Sequence, residues 1–379
     1  MMDTDVLVVG AGPTGLTLAA SLLSRDAGVI VVDRTTAGTN TSRAAAVNAR
    51  TLEVLEDIDV SRRMVKAGLI APRFTMRQAA RTLIPIDFSV LPTKYPYTLM
   101  ISQATTEALL VERLAELGTE VVRPKALTRL SQDRDGVTAT FDDGDTIRAR
   151  VAVGCDGAHS TVREQAGVGF AGGEYAESFA LADVRLSGEA PNDEVILFYA
   201  MNGLNVLAPL PGGIHRIVAP SAHAPEVPSV EFVQEIMDTR GFGPGLTVVT
   251  DLVWGSRFRI HHRVADTYRA GRLLLAGDAA HVHSPAGGQG MNLGIQDAIA
   301  LAGALRDVLH GDSDETLDAY STCRRAIARE VLTTTGRLTR LATLPRAARP
   351  ARNGLMRLAA QIPAVRTKLA WRLSGLVYR

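Results

Sequence analysis

Two clusters of residues could do chemistry. In "GAGPTG", residues 10–15, Gly10, Gly12 and Gly15 keep the spacing G-x-G-x-x-G, with Pro13 and Thr14 completing the loop. A carboxylate, Asp33, follows 18 residues after Gly15. The first glycine permits a tight turn, the second lets a pyrophosphate approach the backbone, and the third allows close helix–strand packing. Asp33 would accept from a ribose 2′-OH and repel a 2′-phosphate, which suits FAD or NAD here and excludes NADP. The second cluster is "GDAAHVHSPAGGQGMN", residues 277–292, where one acid, Asp278, precedes Pro285, a glycine run including Gly288 and Gly290, then Met291 and Asn292. Glycine lets backbone come close to a flat ring without a side-chain clash. A helix starting at Gly290 or Met291 would present N–H groups and roughly half a positive charge. A reduced flavin is anionic around N1 and O2, and such a dipole would favour it by ~0.3–1 kcal/mol, up to about 2 kcal/mol when partly buried.

The flanking elements must position these residues. Val6 to Val9 is a run of β-formers, Gly15 to Leu23 fits a helix, and Val29 to Val32 reads as a second buried strand ending at Asp33. "GVGFAG", residues 167–172, matches the same glycine expression, but helix-like "STVREQA" precedes it and a strand-like pattern follows, so it reads as a turn. The chain then carries one dinucleotide fingerprint. "LMISQATTEALLVERLAELGTEVV" (99–122) predicts strand, amphipathic helix and strand, with Gln103 at the first junction as a ligand donor or a helix cap. Arg43 precedes a helix carrying Val47, Leu52, Leu55 and Ile58, where it could reach phosphate or flavin or be a surface charge. In "RVAVGCDGAHSTVREQAG" (150–167) an apolar run ends at Val153, and Asp156 sits at the turn, as a nucleotide contact or an Asx turn. "GRLLLAGDAAH" reads as a buried strand ending in Gly277-Asp278.

Composition bounds the class. The chain has 379 residues, 46% hydrophobic and 21% charged, with a formal net charge of +1, the profile of a globular enzyme with no global case for nucleic acid. Residues 6–23 carry no charge, but the acidic "MMDTD" before them and their glycines argue against a secretory leader or a membrane span, giving the expectation of a cytoplasmic protein without stable membrane insertion. Cys155 and Cys323 show no metal spacing and are expected to be buried in a reducing compartment. His281 and His283 lack recurring partners, so no metal site is expected. Residues 331–379 carry ten Lys or Arg and no acid, leaving 31 basic against 40 acidic residues elsewhere. Pro345, Pro350 and Pro363 break this tail into short pieces, expected to cover a second, substrate-side domain rather than lie on a membrane surface, with a rim for a hydrophobic substrate as a subsidiary possibility.

The ordered set "GAGPTG", "SRA", "ISQ", "GCDGAHSTVR" and "GDAAHVHSPAGGQGMN" resembles the para-hydroxybenzoate hydroxylase class of FAD-dependent aromatic monooxygenases, especially the bacterial aromatic-polyketide and rifamycin-type hydroxylases. The resemblance runs from residue 4 to about 330. It implies an α/β fold: a Rossmann-like, parallel-sheet FAD-binding domain from 1–73, 98–180 and 264–330, a smaller mixed or antiparallel-sheet substrate domain from 74–97 and 181–263, and a basic helical segment at 331–379. It assigns Asp33 and Arg34 to the adenosine ribose, Leu127 to adenine through its backbone, and Arg43 and Gln103 to the pyrophosphate and ribityl chain. Asp278 falls on a cofactor hydroxyl and Met291 and Asn292 on the flavin edge through backbone N–H groups, while Asp156 and Arg163 belong to a motif serving FAD and the nicotinamide nucleotide.

The implied chemistry is aromatic hydroxylation with NAD(P)H as transient co-substrate and O2, through a flavin C4a-hydroperoxide in a dry pocket. The alternatives are an FAD-dependent reductase or dehydrogenase on the same fold, and a flavin-bearing redox protein without turnover. No catalytic residue is assigned. Tyr199, His215 and His261 could serve as a base toward a phenol, or simply pack. The chain departs from the family pattern in having Asp33 where Glu is usual and Ser284 where a second Pro is common. Relatives often continue into a thioredoxin-like domain, whereas this sequence ends at Arg379.

Overall fold

Runs of branched apolar residues favour pleated, buried backbone, and they build the first sheet. The computed structural model describes residues 2–37, 44–284 and 287–379. Strand Met2–Val9 lies at the sheet centre, parallel to Val29–Val32 on one side and Thr146–Gly154 on the other. Val121–Val122 extends the sheet beyond Val29–Val32, and Leu273–Leu275 beyond Thr146–Gly154, both parallel. A hairpin, Leu127–Gln132 and Val137–Phe141, pairs antiparallel with the early half of Thr146–Gly154. Helices Pro13–Leu23, Gln103–Glu116 and Gly290–Leu309 cover the sheet, and their apolar faces join Val6–Val9 and Leu273–Leu275 in one core.

The second sheet is antiparallel but for one pair. Its spine is two 19-residue strands, Phe170–Gly188 and Thr247–Ala265, followed by Ile214–Ser221, Gly203–Leu210 and Glu194–Ala200. Arg73–Gln78 then pairs parallel with Glu194–Ala200, and Arg81–Asp87 closes that edge, so the segment after residue 73 adds two strands. The spine runs back toward the first sheet, where Val264 pairs with His281 just after Leu273–Leu275. A small sheet, Ala46–Val47, Thr98–Met100 and Leu69–Ala71, packs against the second through Ala45, Ala71, Met100, Val195, Ala208 and Leu210.

The basic tail folds onto this second sheet. Helices Arg349–Ala359 and Pro363–Leu373 share a core with Met76, Leu83, Ile84, Ile86, Leu197 and Tyr199. Two of its arginines turn inward to carbonyls: Arg349 donates to Met201 O at 2.6 Å, and Arg352 to Leu341 O at 3.0 Å and Tyr199 O at 3.1 Å. Cys155 is buried as expected, but Cys323 is exposed on helix Glu315–Ala342. That helix alternates a covered and a solvated face, and position 323 falls on the solvated one. No described helix is long and apolar enough to cross a membrane.

Candidate cofactor site

Parallel strands place their C-terminal ends along one edge, and the loops leaving them form a crevice. Here backbone bonds set four strand ends in a row: Gly10 N donates to Val32 O (2.8 Å), Cys155 N to Val9 O (2.8 Å) and Ala276 N to Gly154 O (3.0 Å). The loops carrying Asp33, Gly10–Gly15, Asp156 and Asp278 therefore leave the same edge together.

The glycine loop is shaped by contacts that only glycine allows. Gly10 has φ +104°, and a Cβ there would strike the Cys155 carbonyl; a Cβ on Gly15 would run into the Gly10 carbonyl. A Cβ on Gly12 would meet nothing within 4 Å, which leaves its face of the loop open. Helix Pro13–Leu23 starts two residues before the position suggested by its apolar run, because proline tolerates the first helical turn. One Asp33 oxygen accepts from Ala11 N (2.7 Å) and the other from Thr35 N (2.8 Å), so this carboxylate braces the loop. Arg34 is exposed beside it, and Lys125 N donates to Asp33 O at 2.7 Å, bringing the segment that leads into Leu127 alongside.

The stretch that starts at Gly277 closes the opposite wall. Asp278 is exposed between buried Gly277 and Ala279. Thr14 nests against Gly277 and Gly294, where any added Cβ would collide with its hydroxyl, locking the two nucleotide segments together. Helix Gly290–Leu309 begins as expected, and its first intrahelical bond runs from Leu293 N to Gln289 O, leaving the N–H groups of Gly290, Met291 and Asn292 at the open end. Gly288 takes φ +61° before that end. The buried Asn292 side chain donates to Ala46 O (2.8 Å) and Gly288 O (2.7 Å) and accepts from Asn48 N (2.9 Å). Gln103 starts its helix, but Ser102 caps it; Gln103 donates to Glu107 (2.8 Å) and accepts from Ala44 N (3.5 Å). Arg43 and Pro285 lie outside the described residues.

Two motif residues are engaged by protein groups. Asp156 accepts from Ser160 Oγ (2.5 Å) and Val162 N (3.2 Å) at the start of the next short helix; burial raises its pKa against these bonds. Arg163 stacks 3.8 Å over Phe170 and donates to Ala279 O (2.8 Å), tying this turn to the one carrying Asp278. Neither side chain is aimed away from the protein.

Sequence reasoning missed the charged centre behind the site. Asp297, fully buried, accepts from Arg324 Nε (2.5 Å) and lies 2.6 Å from His281 Nε2. Burial would raise its pKa, yet Arg324 and His281 outweigh burial and hold it below the ordinary value. The signal was a single acid inside the apolar helix run "LGIQDAIALAGA". His283 hydrogen-bonds Ser284 O at 2.9 Å, and burial pushes its pKa down to about 4. Tyr199 is buried beneath Arg352, its pKa pushed by burial up to about 12, and His215 is buried against Pro191 O (3.3 Å); both pack. His261 sits half-buried, 3.2 Å from Glu174. Among the described residues no group of three or more His, Cys, Asp or Glu could hold a metal ion.

This site matches what a dinucleotide with a flavin head requires: an open glycine loop, an acid beside it and a glycine-rich helix start at the far end. Residues 3–335 match the model of the FAD binding domain family. The chain belongs to that family. It is 38% identical over 355 residues to the 6-methylpretetramide 4-monooxygenase of Streptomyces rimosus, covering 91% of this chain and 63% of that protein's length. The p-nitrophenol 4-monooxygenase of Pseudomonas putida DLL-E4 superposes with TM-score 0.87 at 26% identity, covering 99% of both chains. An anhydrotetracycline hydroxylase of Streptomyces rimosus superposes with TM-score 0.82 at 35% identity, covering 99% of this chain and 76% of that one. The family is one of FAD-binding monooxygenases, and the curated relatives act on aromatic compounds.

Proposed function

We propose that this chain is an FAD-dependent monooxygenase that hydroxylates an aromatic ring with NAD(P)H and O2. The observation that carries the reading is the locking of Thr14 between Gly277 and Gly294, which sets a phosphate loop and a flavin-type helix end on one crevice. The N–H groups after Gly12 hold the pyrophosphate, and Asp33, with the 125–127 segment beside it, takes the adenosine ribose and adenine. Asp278 binds a hydroxyl of the linking chain, and the N–H groups of Met291 and Asn292 hold the polar flavin edge through the helix dipole. Bound FAD supplies the redox chemistry between nicotinamide, O2 and substrate. Apolar packing between the second sheet and the small sheet keeps water from the substrate side of the crevice. The Asp156–Arg163 turn contributes to the cofactor wall by holding its backbone in place.

The test is oxygenation under 18O2. Purified, FAD-loaded protein is given NADH or NADPH and a panel of phenols from one to four rings. One 18O atom in the product, with nucleotide oxidised in step, is the expected result. Nucleotide oxidation that reduces the acceptor without incorporating oxygen overturns the reading in favour of a reductase.

A further inference from the structure

Helix Arg349–Ala359 is amphipathic in the reverse sense. Its buried side carries Arg352 and Asn353, both satisfied by polar partners. Arg352 Nε donates to Asn353 Oδ1 (2.9 Å), and Asn353 Nδ2 donates to Gln78 Oε1 (2.8 Å) and Tyr199 O (3.1 Å). Its solvent side carries Leu355 and Leu358, 68% and 70% exposed. Three residues apart, they share one face of the helix. Exposed Ala351 and Gly354 lie beside them, and Ile362, 54% exposed, stands in the turn that follows. An amphipathic helix ordinarily turns its apolar side to the core. A single exposed leucine needs no explanation, but this strip of three is left uncovered while an arginine is buried behind it.

The charge around the strip is one-sided. Arg357, Arg366 and Lys368 are exposed on this helix and the next, Pro363–Leu373, and residues 331–379 contain no Asp or Glu. Arg372 and Arg379 pair with Glu330 and Glu53, whereas no ion pair engages Arg357, Arg366 or Lys368 among the described residues.

We propose that this outer face is a docking surface for an anionic phospholipid bilayer. Leu355, Leu358 and Ile362 enter the headgroup boundary, and the three cations meet lipid phosphates. The attachment is shallow and reversible, since the strip spans only two turns, and it is independent of the oxygenation chemistry. Charge and shape select this occupant. A second copy using the same face would set cation against cation, which like-charge repulsion disfavours. Nucleic acid would meet the cations and leave the aliphatic strip in water. A bilayer interface satisfies both, because aliphatic side chains enter the acyl boundary while long Arg and Lys stems keep their charges at the phosphates. It also needs no shaped groove, which suits a convex helix flanked on this side by Ala351 and Gly354. The tail thus covers the second sheet with one side and offers the other to lipid.

The test is flotation of the FAD-loaded full chain with vesicles of phosphatidylcholine alone and of phosphatidylcholine mixed equally with phosphatidylglycerol. Binding to the mixed vesicles is expected to exceed binding to the neutral ones at least roughly tenfold, because each cation near an anionic surface contributes roughly fivefold. Raising salt from about 0.1 M to about 1 M shortens the screening length from about 10 Å to about 3 Å and is expected to release most of the protein. The double variant Leu355→Gln, Leu358→Gln alters exposed positions only, so it keeps the fold. It is expected to weaken binding to the mixed vesicles at least roughly tenfold. Equal binding to both vesicles overturns the proposal, and so does binding to neither. Binding that the leucine variant leaves unchanged also overturns it, by reducing the face to a patch of cations. A dimer in sedimentation that the leucine variant splits gives the face to a second copy instead of lipid.

Discussion

The two glycines flanking Pro13-Thr14 answer to different physics, and substitution separates them. Gly15→Ala places a methyl against the Gly10 carbonyl, so the loop must distort. Its expected outcome is a loss of stability of about 1–3 kcal/mol in urea unfolding, as for other overpacked sites. Gly12→Ala meets open space, so the melting temperature is expected to hold while the FAD dissociation constant rises, because the methyl enters the phosphate approach. Titration is informative at two other residues. His283 has its pKa depressed from 6.5 to about 4, so its contribution is complete above pH 6.5 and drains as pH falls toward 4. His283→Asn is expected to flatten stability across that window in pH-dependent urea midpoints. Asp297 is also held below its ordinary value, so its contribution is present above that value and lost in stronger acid. Asp297→Asn is expected to cost about 3–5 kcal/mol at neutral pH, because it leaves Arg324 buried without its counter-charge. Asp33, Asp278 and the glycines were legible because turn geometry is local; Asp297 was not, because its partners lie 16 and 27 residues further away along the chain.

Among elements, the strands and helices of residues 5–34 and 99–122 could be read from period and from turn residues. The strand Val29–Val32 falls where its four apolar residues stand, and the helix at Gly290 starts where the glycines stop. The C-terminal helices were harder. Their apolar residues gave the expectation of packing over the fold, which the tail does, but nothing local showed that Arg349 and Arg352 point inward to carbonyls at the Tyr199–Met201 turn. Arginine can do this because its guanidinium offers several donors on a stem that packs against apolar neighbours. Arg352→Met is expected to lose about 2–4 kcal/mol in urea unfolding, the worth of charged donors to buried carbonyls. Lys368→Ala, at an exposed position on the last helix, is expected to change stability by less than about 0.5 kcal/mol.

For the whole molecule, the cofactor crevice draws on the first sheet, two helices and the short strand His281–Val282, which pairs with the second sheet. Ligand bound there is coupled to global unfolding. FAD at about 100 times its dissociation constant is expected to add about 2.7 kcal/mol, read as a higher melting temperature in the loaded than in the stripped protein. An absence of any shift would remove FAD from the crevice. Glycine spacing, the apolar strands and the helix starts are properties of a few consecutive residues, set by backbone sterics and side-chain periodicity, so they stand in the amino-acid order itself. The inward turn of the basic tail and the Asp297 centre depend on which distant surfaces meet. Packing decides that, because burial and ion pairing reward contacts between segments that no local pattern connects.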